Sequence, residues 1–421
     1  MEPVRSMLRA APVLLLGVAL SAAAHDSGDM ELVGAHSLQG RSAYQPIVHR
    51  VGERWIAFIG HHGGRAVNPL TQRSEENGTS ILDVTEPRSP RLIAHIPGEG
   101  GGAQMARYCN GYLLRTLGHS AHEVWDVRDP AKPVKASTVV SGLSDTHKSW
   151  WECDTGIAYL VSGAPGWRTS RMTQVYDLSN PARPKFIRDF GLVGQQPGAN
   201  GVVPTGLHGP ISTGPKGNRI YLGYGTNANG VMQIVDRARL LDGAREPTEA
   251  NLLSPQVGRL DLDPSYGAHT AFPMTGIGGR DYVLVVNEAL TYHCNEARQK
   301  VWIADVTDET KPVIASTWEA SDAAAFCARG RFGAHSSNES FAPVYYRKLV
   351  FIAYFNAGVR VLDIREPKRP VEVAYFIPAG SPLTNNVEID ERGYVYVVDR
   401  GSLGLHILEL TGAARRIAPR P

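Results

Sequence analysis

Val359 to Phe376 read VRVLDIREPKRPVEVAYF. An apolar run ends in Asp363, a turn of charges and prolines follows, and a second apolar run leaves Pro370. The same pattern recurs as ILDVTEPRSPRLIAHI from Ile81, VWDVRDPAKPVKASTV from Val124, VYDLSNPARPKFIRDF from Val175 and WIADVTDETKPVIAST from Trp302. In every copy the aspartate and the closing proline stand seven residues apart: Asp83 and Pro90, Asp126 and Pro133, Asp177 and Pro184, Asp305 and Pro312, Asp363 and Pro370. Copies spaced by several tens of residues mark a repeat architecture.

Between these turns lie short runs rich in Val, Ile and Tyr, such as IAYLVSG (157–163), YVLVVNE (282–288) and YVYVVDR (394–400). Each precedes an apolar strand ending in an acid, at Asp83, Asp126, Asp177, Asp236, Asp305, Asp363 and Glu409, which gives seven units. Five carry the full turn; the fourth (QIVDRARLL) and seventh (HILELTGAA) are degenerate. A four-stranded sheet cannot bury both faces alone, whereas radial stacking lets each cover the next. The expected fold is therefore all-β, a seven-bladed β-propeller of four-stranded antiparallel blades, with a solenoid as the alternative. ELVGAHSLQG (31–40) resembles the outer strands LIAHIPGEG and VEVAYFIPAG, so the N-terminal strand is expected to close the last blade. The C-terminal ARRIAPRP competes for that edge.

The 421 residues include 44 Gly and 28 Pro with 20% charged residues, which suits a turn-rich β-protein. The net charge of +2 and the lack of a dense Lys/Arg run exclude an electrostatic nucleic-acid binder. Arg5 and Arg9 precede APVLLLGVAL (11–20) and Ser21-Ala22-Ala23-Ala24, the pattern of a cleaved signal peptide over 1–24. The apolar run is too short to span a bilayer. A single propeller domain over 25–421 is thus expected in the periplasm or secreted, without an integral membrane segment, as a monomer open to a protein partner. Four cysteines in an exported chain permit two disulfides. Cys109 and Cys153 occupy matching places in adjacent units, and Cys294 and Cys327 sit in the two longest insertions. Free thiols or metal ligands are the other uses, less suited to an oxidising compartment.

The Asp-[Val/Ile/Leu]-x-x-Pro-x-x-Pro turns between V-x-V/I-x-D strands resemble the LVIVD repeats of exported bacterial β-propeller proteins, over nearly the whole mature chain. The resemblance implies the fold and says little about chemistry.

Laid in register, four histidines fall at one address, just before the innermost strand of units three to six: His147, His208, His269 and His335. Three follow a glycine two residues earlier, as GLH, GAH and GAH, which lets the backbone bend and approach closely. The equivalent positions elsewhere hold Asn385-Asn386, Gln45 and Ala103-Gln104. Innermost strands surround the propeller axis, so these positions converge, and four imidazoles there suit a transition metal, Fe or Cu foremost, with Zn or Ni as alternatives. A lone histidine at such a position more commonly satisfies a turn; four in register favour a metal. The turns after the second strands reach the same face with His61 and His62, His119, Glu288 with Tyr292-His293, Asn356 and Asp399-Arg400. His61, His62, His119 and His293 are therefore candidates for shaping a pocket or relaying protons. Glu339, four residues after His335, is a candidate to orient it. In arrangement, though not in sequence, the four histidines resemble the metal-dependent seven-bladed propellers of carotenoid-cleavage oxygenases, nitrous oxide reductase and selenium-binding-protein-type methanethiol oxidases.

No G-x-S-x-G elbow, P-loop, dinucleotide fingerprint or CxxCH haem site is present. The favoured function is a metal-dependent oxidoreductase acting on a small-molecule substrate at the channel mouth. The alternatives are a non-catalytic propeller scaffold and a periplasmic metal store or carrier.

Overall fold

The computed structural model describes residues 25–420, so the expected signal peptide lies outside the described residues. Seven antiparallel sheets stand around one axis. Their innermost strands are Ala43–Val51, Ala106–Cys109, Trp150–Trp151, Leu207–Ser212, Thr270–Ile277, Ser336–Ser337 and Thr384–Ile389. The ring expected from the repeat is observed, rather than a solenoid.

The repeated aspartate earns its place by local chemistry. In all five full copies its Oδ1 accepts the backbone N–H two residues on: Thr85 (3.0 Å), Arg128 (3.0 Å), Ser179 (2.8 Å), Thr307 (3.1 Å) and Arg365 (3.0 Å). This Asx turn reverses the chain without a ladder. In the degenerate fourth unit Asp236 instead accepts from Arg239 N and caps the helix Arg237–Asp242. A bulge between third and outer strands recurs at one place in all seven blades, from Ile81/Leu82 in blade one to Ile407/Leu408 in blade seven. The bulges add twist, which lets flat sheets pack around a ring.

Several outer strands meet the turn of the next blade through a small residue, whereas in blade three Arg188 fills that place and donates to Leu240 O at 3.0 Å. Ser137 Oγ donates to Pro181 O at 2.7 Å and Ser316 Oγ to Pro367 O at 2.6 Å. A Cβ on Gly34, in blade seven, would lie 2.1 Å from Pro87 O of blade one, so the closing contact follows the same rule.

The N-terminal segment closes the ring. Met30–His36 pairs with Leu405–Leu410 as the outer strand of blade seven. Asp26–Gly28 adds an unexpected fifth strand to blade six. The C-terminal segment does not take that edge; it forms the helix Gly412–Ile417, whose Ala413 and Ala414 amides donate to Asp29 at 2.7 and 3.1 Å. Two disulfides join neighbouring blades as expected, Cys109–Cys153 and Cys294–Cys327. No helix among the described residues is long and apolar enough to cross a membrane.

Candidate metal centre

The four histidines in register converge on the axis, each at most 5% exposed. Their rings form a chain: His147 to His208 at 4.5 Å between centroids, His208 to His269 at 3.6 Å, His269 to His335 at 4.6 Å. The glycines two residues before two of them are required by packing. A Cβ on Gly267 would stand 2.1 Å from Thr226 O, and Gly333 holds φ +143° with Ala289 Cβ only 2.5 Å from such a Cβ.

A fifth residue joins them. Glu288, buried on the loop after the second strand of blade five, places Oε2 3.8 Å from His208 Nε2 and 4.0 Å from His269 Nε2, and Oε1, which also accepts from Arg331, 3.5 Å from His335 Nε2. His208, His269 and Glu288 together present ligand atoms all within 4.8 Å of one another. His147 Nε2 lies 3.0 Å from His208 Nε2 and 3.0 Å from the Tyr44 hydroxyl. Bonds of about 2.0–2.2 Å to a common ion separate neighbouring ligand atoms by roughly 3–4 Å. The Glu288–histidine separations of 3.5–4.0 Å fall within that spacing, and the three-residue group extends up to 4.8 Å.

The protonation states support this fit. Burial, then the charges of Arg171 and His208 at His147, of Arg171 and Lys148 at His208, and of neighbouring groups at the other two, hold all four imidazoles well below the ordinary histidine pKa. They are neutral imidazoles at physiological pH. His335 Nδ1 contacts the Asn385 carbonyl, which can only accept, so Nδ1 carries the proton and Nε2 presents a lone pair towards Glu288. His269 Nε2, His335 Nε2 and His208 Nδ1 are buried without hydrogen-bond partners among the described residues. A lone pair aimed at a carboxylate in a dry interior is unfavourable unless a metal cation, or a proton retained by Glu288, lies between them.

Beneath the histidines lies a polar layer. Lys148 Nζ donates to Thr270 Oγ1 at 3.0 Å, and Thr270 Oγ1 meets His269 Nδ1 at 2.8 Å. Gly209 leaves room for the Lys148 stem, which occupies the place of a Cβ there. Lys148 and Arg107 both pair with Glu339, so Glu339 anchors this layer and does not orient His335. Below it, a cavity of about 450 Å³ opens at the opposite mouth, lined by Arg107, Trp150, Phe341 and Glu388.

The expected pocket histidines separate. His62 is half-buried with its ring 5.0 Å from that of Tyr44, which itself packs against His147 and His335 at 5.4 and 5.9 Å. His61 points into blade one instead: Nε2 meets Ser80 Oγ at 2.8 Å, and Ser80 continues to His95 at 3.3 Å. Consecutive residues of Arg54–His62 face opposite sides of the strand, so only one of the pair can face Tyr44. His119 is exposed, its ring against Gly101. His293 is exposed with φ +56°, bonded to Cys327 O at 3.0 Å beside the disulfide that ties its loop outward. Neither His119 nor His293 contacts the cluster. Tyr44, rather than Gln45, is the blade-one residue in the histidine layer; Gln45 donates to Glu339 at 3.4 Å. Glu288 was visible in sequence only as a residue of the mouth, since no neighbouring blade repeats it.

No family profile matches the chain, and no curated protein matches it in sequence. Among solved structures it is similar to Raptor of Chaetomium thermophilum at 12% identity and TM-score 0.57, over 93% of this chain and 29% of that one. The chain therefore spans less than a third of Raptor's length. It also aligns with the computationally designed Ika8 protein at 8% identity and TM-score 0.48, over 90% of this chain and 98% of that one. The likeness to Raptor is one of fold, a seven-bladed β-propeller.

Proposed function

We propose that the chain is an exported, metal-binding β-propeller that works as a metal-dependent oxidoreductase on a small molecule. The carrying observation is the cluster itself: four buried neutral imidazoles converge on the axis around a buried carboxylate, and His208, His269 and Glu288 present ligand atoms all within 4.8 Å of one another. His208, His269 and Glu288 would hold the metal with His335 beside them, while His147, engaged by the Tyr44 hydroxyl, would back His208. Histidines with a carboxylate suit Fe foremost, with Cu and Zn as alternatives. Such an ion supplies Lewis acidity or one-electron chemistry at an open position. The likeness in arrangement to metal-dependent seven-bladed propellers supports the reading. The two disulfides and the leader-like N-terminus support export.

The chain's own residues have definable work. Asn385 fixes the tautomer of His335. Tyr44 holds His147 Nε2 by its hydroxyl and, being buried, keeps its proton at neutral pH, since burial raises its pKa. Asn338, at 3.0 Å to Phe351 N, braces the strand pair behind His335.

Elemental analysis of protein purified from its native compartment tests the reading, beside a His208→Ala/His269→Ala double variant. One metal per chain in the wild type and none in the variant is expected. A metal-free wild type, or a variant that keeps its metal, overturns it. The complete burial of the cluster also suits a metal store, which predicts the same metal content with no turnover.

A further inference from the structure

Three arginines stand over the histidine cluster, and two carboxylates answer them. Arg331 is buried and donates to Glu288 at 2.9 Å and to Ala289 O at 2.7 Å. Arg171 is held by Asp145 through two bonds of 2.8 and 2.9 Å. Arg400 has neither an ion pair nor a side-chain hydrogen bond among the described residues, and its Nε is buried without a partner. The adjacent Asp399 does not serve it, because its oxygens accept from the main-chain amides of Leu383 (2.6 Å) and Leu403 (3.2 Å).

Arg400 is placed close to the metal ligands. Its guanidinium carbon lies 5.9 Å from the ring centroids of both Tyr44 and Phe355. Those two rings pack directly on His335, at 5.9 and 5.0 Å. Arg331 also lies over Phe355, at 3.8 Å from its ring centroid. Phe355 itself holds φ +38°, a conformation that a bulky residue rarely adopts and that concentrates at ligand sites. The charges of Arg400 and Arg331 both reach His335, and that of Arg171 reaches His147 and His208. A buried guanidinium donor left unpaired is costly, and a planar fork of donors matches a carboxylate or oxyanion.

We infer that this mouth is a binding site for a small anion, a carboxylate or inorganic oxyanion, anchored by Arg400 over Tyr44 and Phe355. That the anion is the substrate class of the metal centre rests on the proposed function; the anion site itself does not. Arg331 and Arg171 keep the surroundings positive while committed to their own carboxylates, which leaves Arg400 as the group that takes the incoming charge. A cation on the cluster would add to the same field.

Sodium formate is the probe, titrated calorimetrically into the metal-free protein and into protein loaded with one equivalent of Zn(II), with metal content measured separately. Wild type is expected to bind one formate, more tightly when loaded. Arg400→Gln is expected to weaken it about tenfold to a hundredfold, the loss of a charge-assisted hydrogen bond, and Arg400→Lys to recover part of that. The Arg400 side chain bonds to no other group, so neither variant removes a fold contact of that kind. Formate affinity unchanged in Arg400→Gln, or no formate binding by wild type in either state, overturns the anion site even if zinc binds stoichiometrically. Formate binding that depends on Arg400 in a protein that retains no metal leaves the anion site standing and removes the metal reading instead.

Discussion

Replacing Glu288 with Gln should make the protein more stable without metal and less stable with it. Burial raises the Glu288 pKa, and the charges of Arg400, Arg331 and Arg171 only partly offset that. Above the ordinary glutamate pKa the unfolded chain ionises freely while the folded one resists, so the carboxylate destabilises the metal-free fold at neutral pH. Gln keeps the shape and an acceptor for Arg331, so metal-free Glu288→Gln should melt above the metal-free wild type. Metal reverses the order. At free metal a thousandfold above Kd, binding stabilises the fold by about 4.1 kcal/mol. An unfolding entropy of about 2.1 cal/mol/K per residue over roughly 400 described residues converts this to a rise in Tm of about 5 °C. Loss of the anionic ligand should weaken binding by at least ~100-fold, the upper end seen for outer partners of ligands. At the same metal concentration the variant then gains only about 1.4 kcal/mol, or about 2 °C. Differential scanning calorimetry with and without Fe(II), under anaerobic conditions, reads both signs. Equal metal-induced shifts in the two proteins, or a metal-free variant that melts lower, would refute the reasoning.

The five turn aspartates all have pKa values held below the ordinary range, by the amides and hydroxyls or guanidinium groups two residues on, against some desolvation. Their stabilisation is complete above the unfolded value of about 3.9 and is lost as pH falls through the lower folded values. Changing all five to Asn, which keeps the acceptor but cannot titrate, should flatten the acid limb of a urea-midpoint profile taken with chelator present; an unchanged limb would contradict this. His61→Ala should cost about 1–3 kcal/mol by removing the closest partner of the buried Ser80 hydroxyl and leaving a void in blade one, with metal content unaltered, as denaturation and elemental analysis would show. Arg237 donates to Glu152 at 2.8 Å and 3.0 Å across blades three and four, where Ser212 and Tyr159 also bind that carboxylate. Arg237→Met should cost about 3–5 kcal/mol by leaving the buried Glu152 charge unpaired, read as a lower urea midpoint, and Glu152→Gln in the same chain should recover part of it.

The ring was legible because its repeat is a local device. Asp83, Asp126, Asp177, Asp305 and Asp363 each make the same two-residue Asx turn, so a spacing in sequence reports a geometry directly. The convergence of His147, His208, His269 and His335 followed from the same register, since equivalent positions on neighbouring blades meet at the axis. What escaped lies where the repeat stops. Glu288 comes from a loop that no other blade copies, and only its place at the mouth was readable. Tyr44 differs from the expected Gln45 by one residue, which in a strand is the difference between two faces. The same alternation divides His62 from His61. His293 fails because the Cys294–Cys327 disulfide, not the blade, directs its loop. Arg400 could be placed at the mouth from sequence, but its lack of a partner is a property of the folded surroundings alone.

Anomalous diffraction from crystals of metal-loaded protein, recorded on either side of the metal's absorption edge, tests the central claim most directly. One strong anomalous peak is expected on the axis, about 2.0–2.2 Å from a ring nitrogen of His208, a ring nitrogen of His269 and a Glu288 carboxylate oxygen. A peak elsewhere, or none at full metal loading, would contradict that claim.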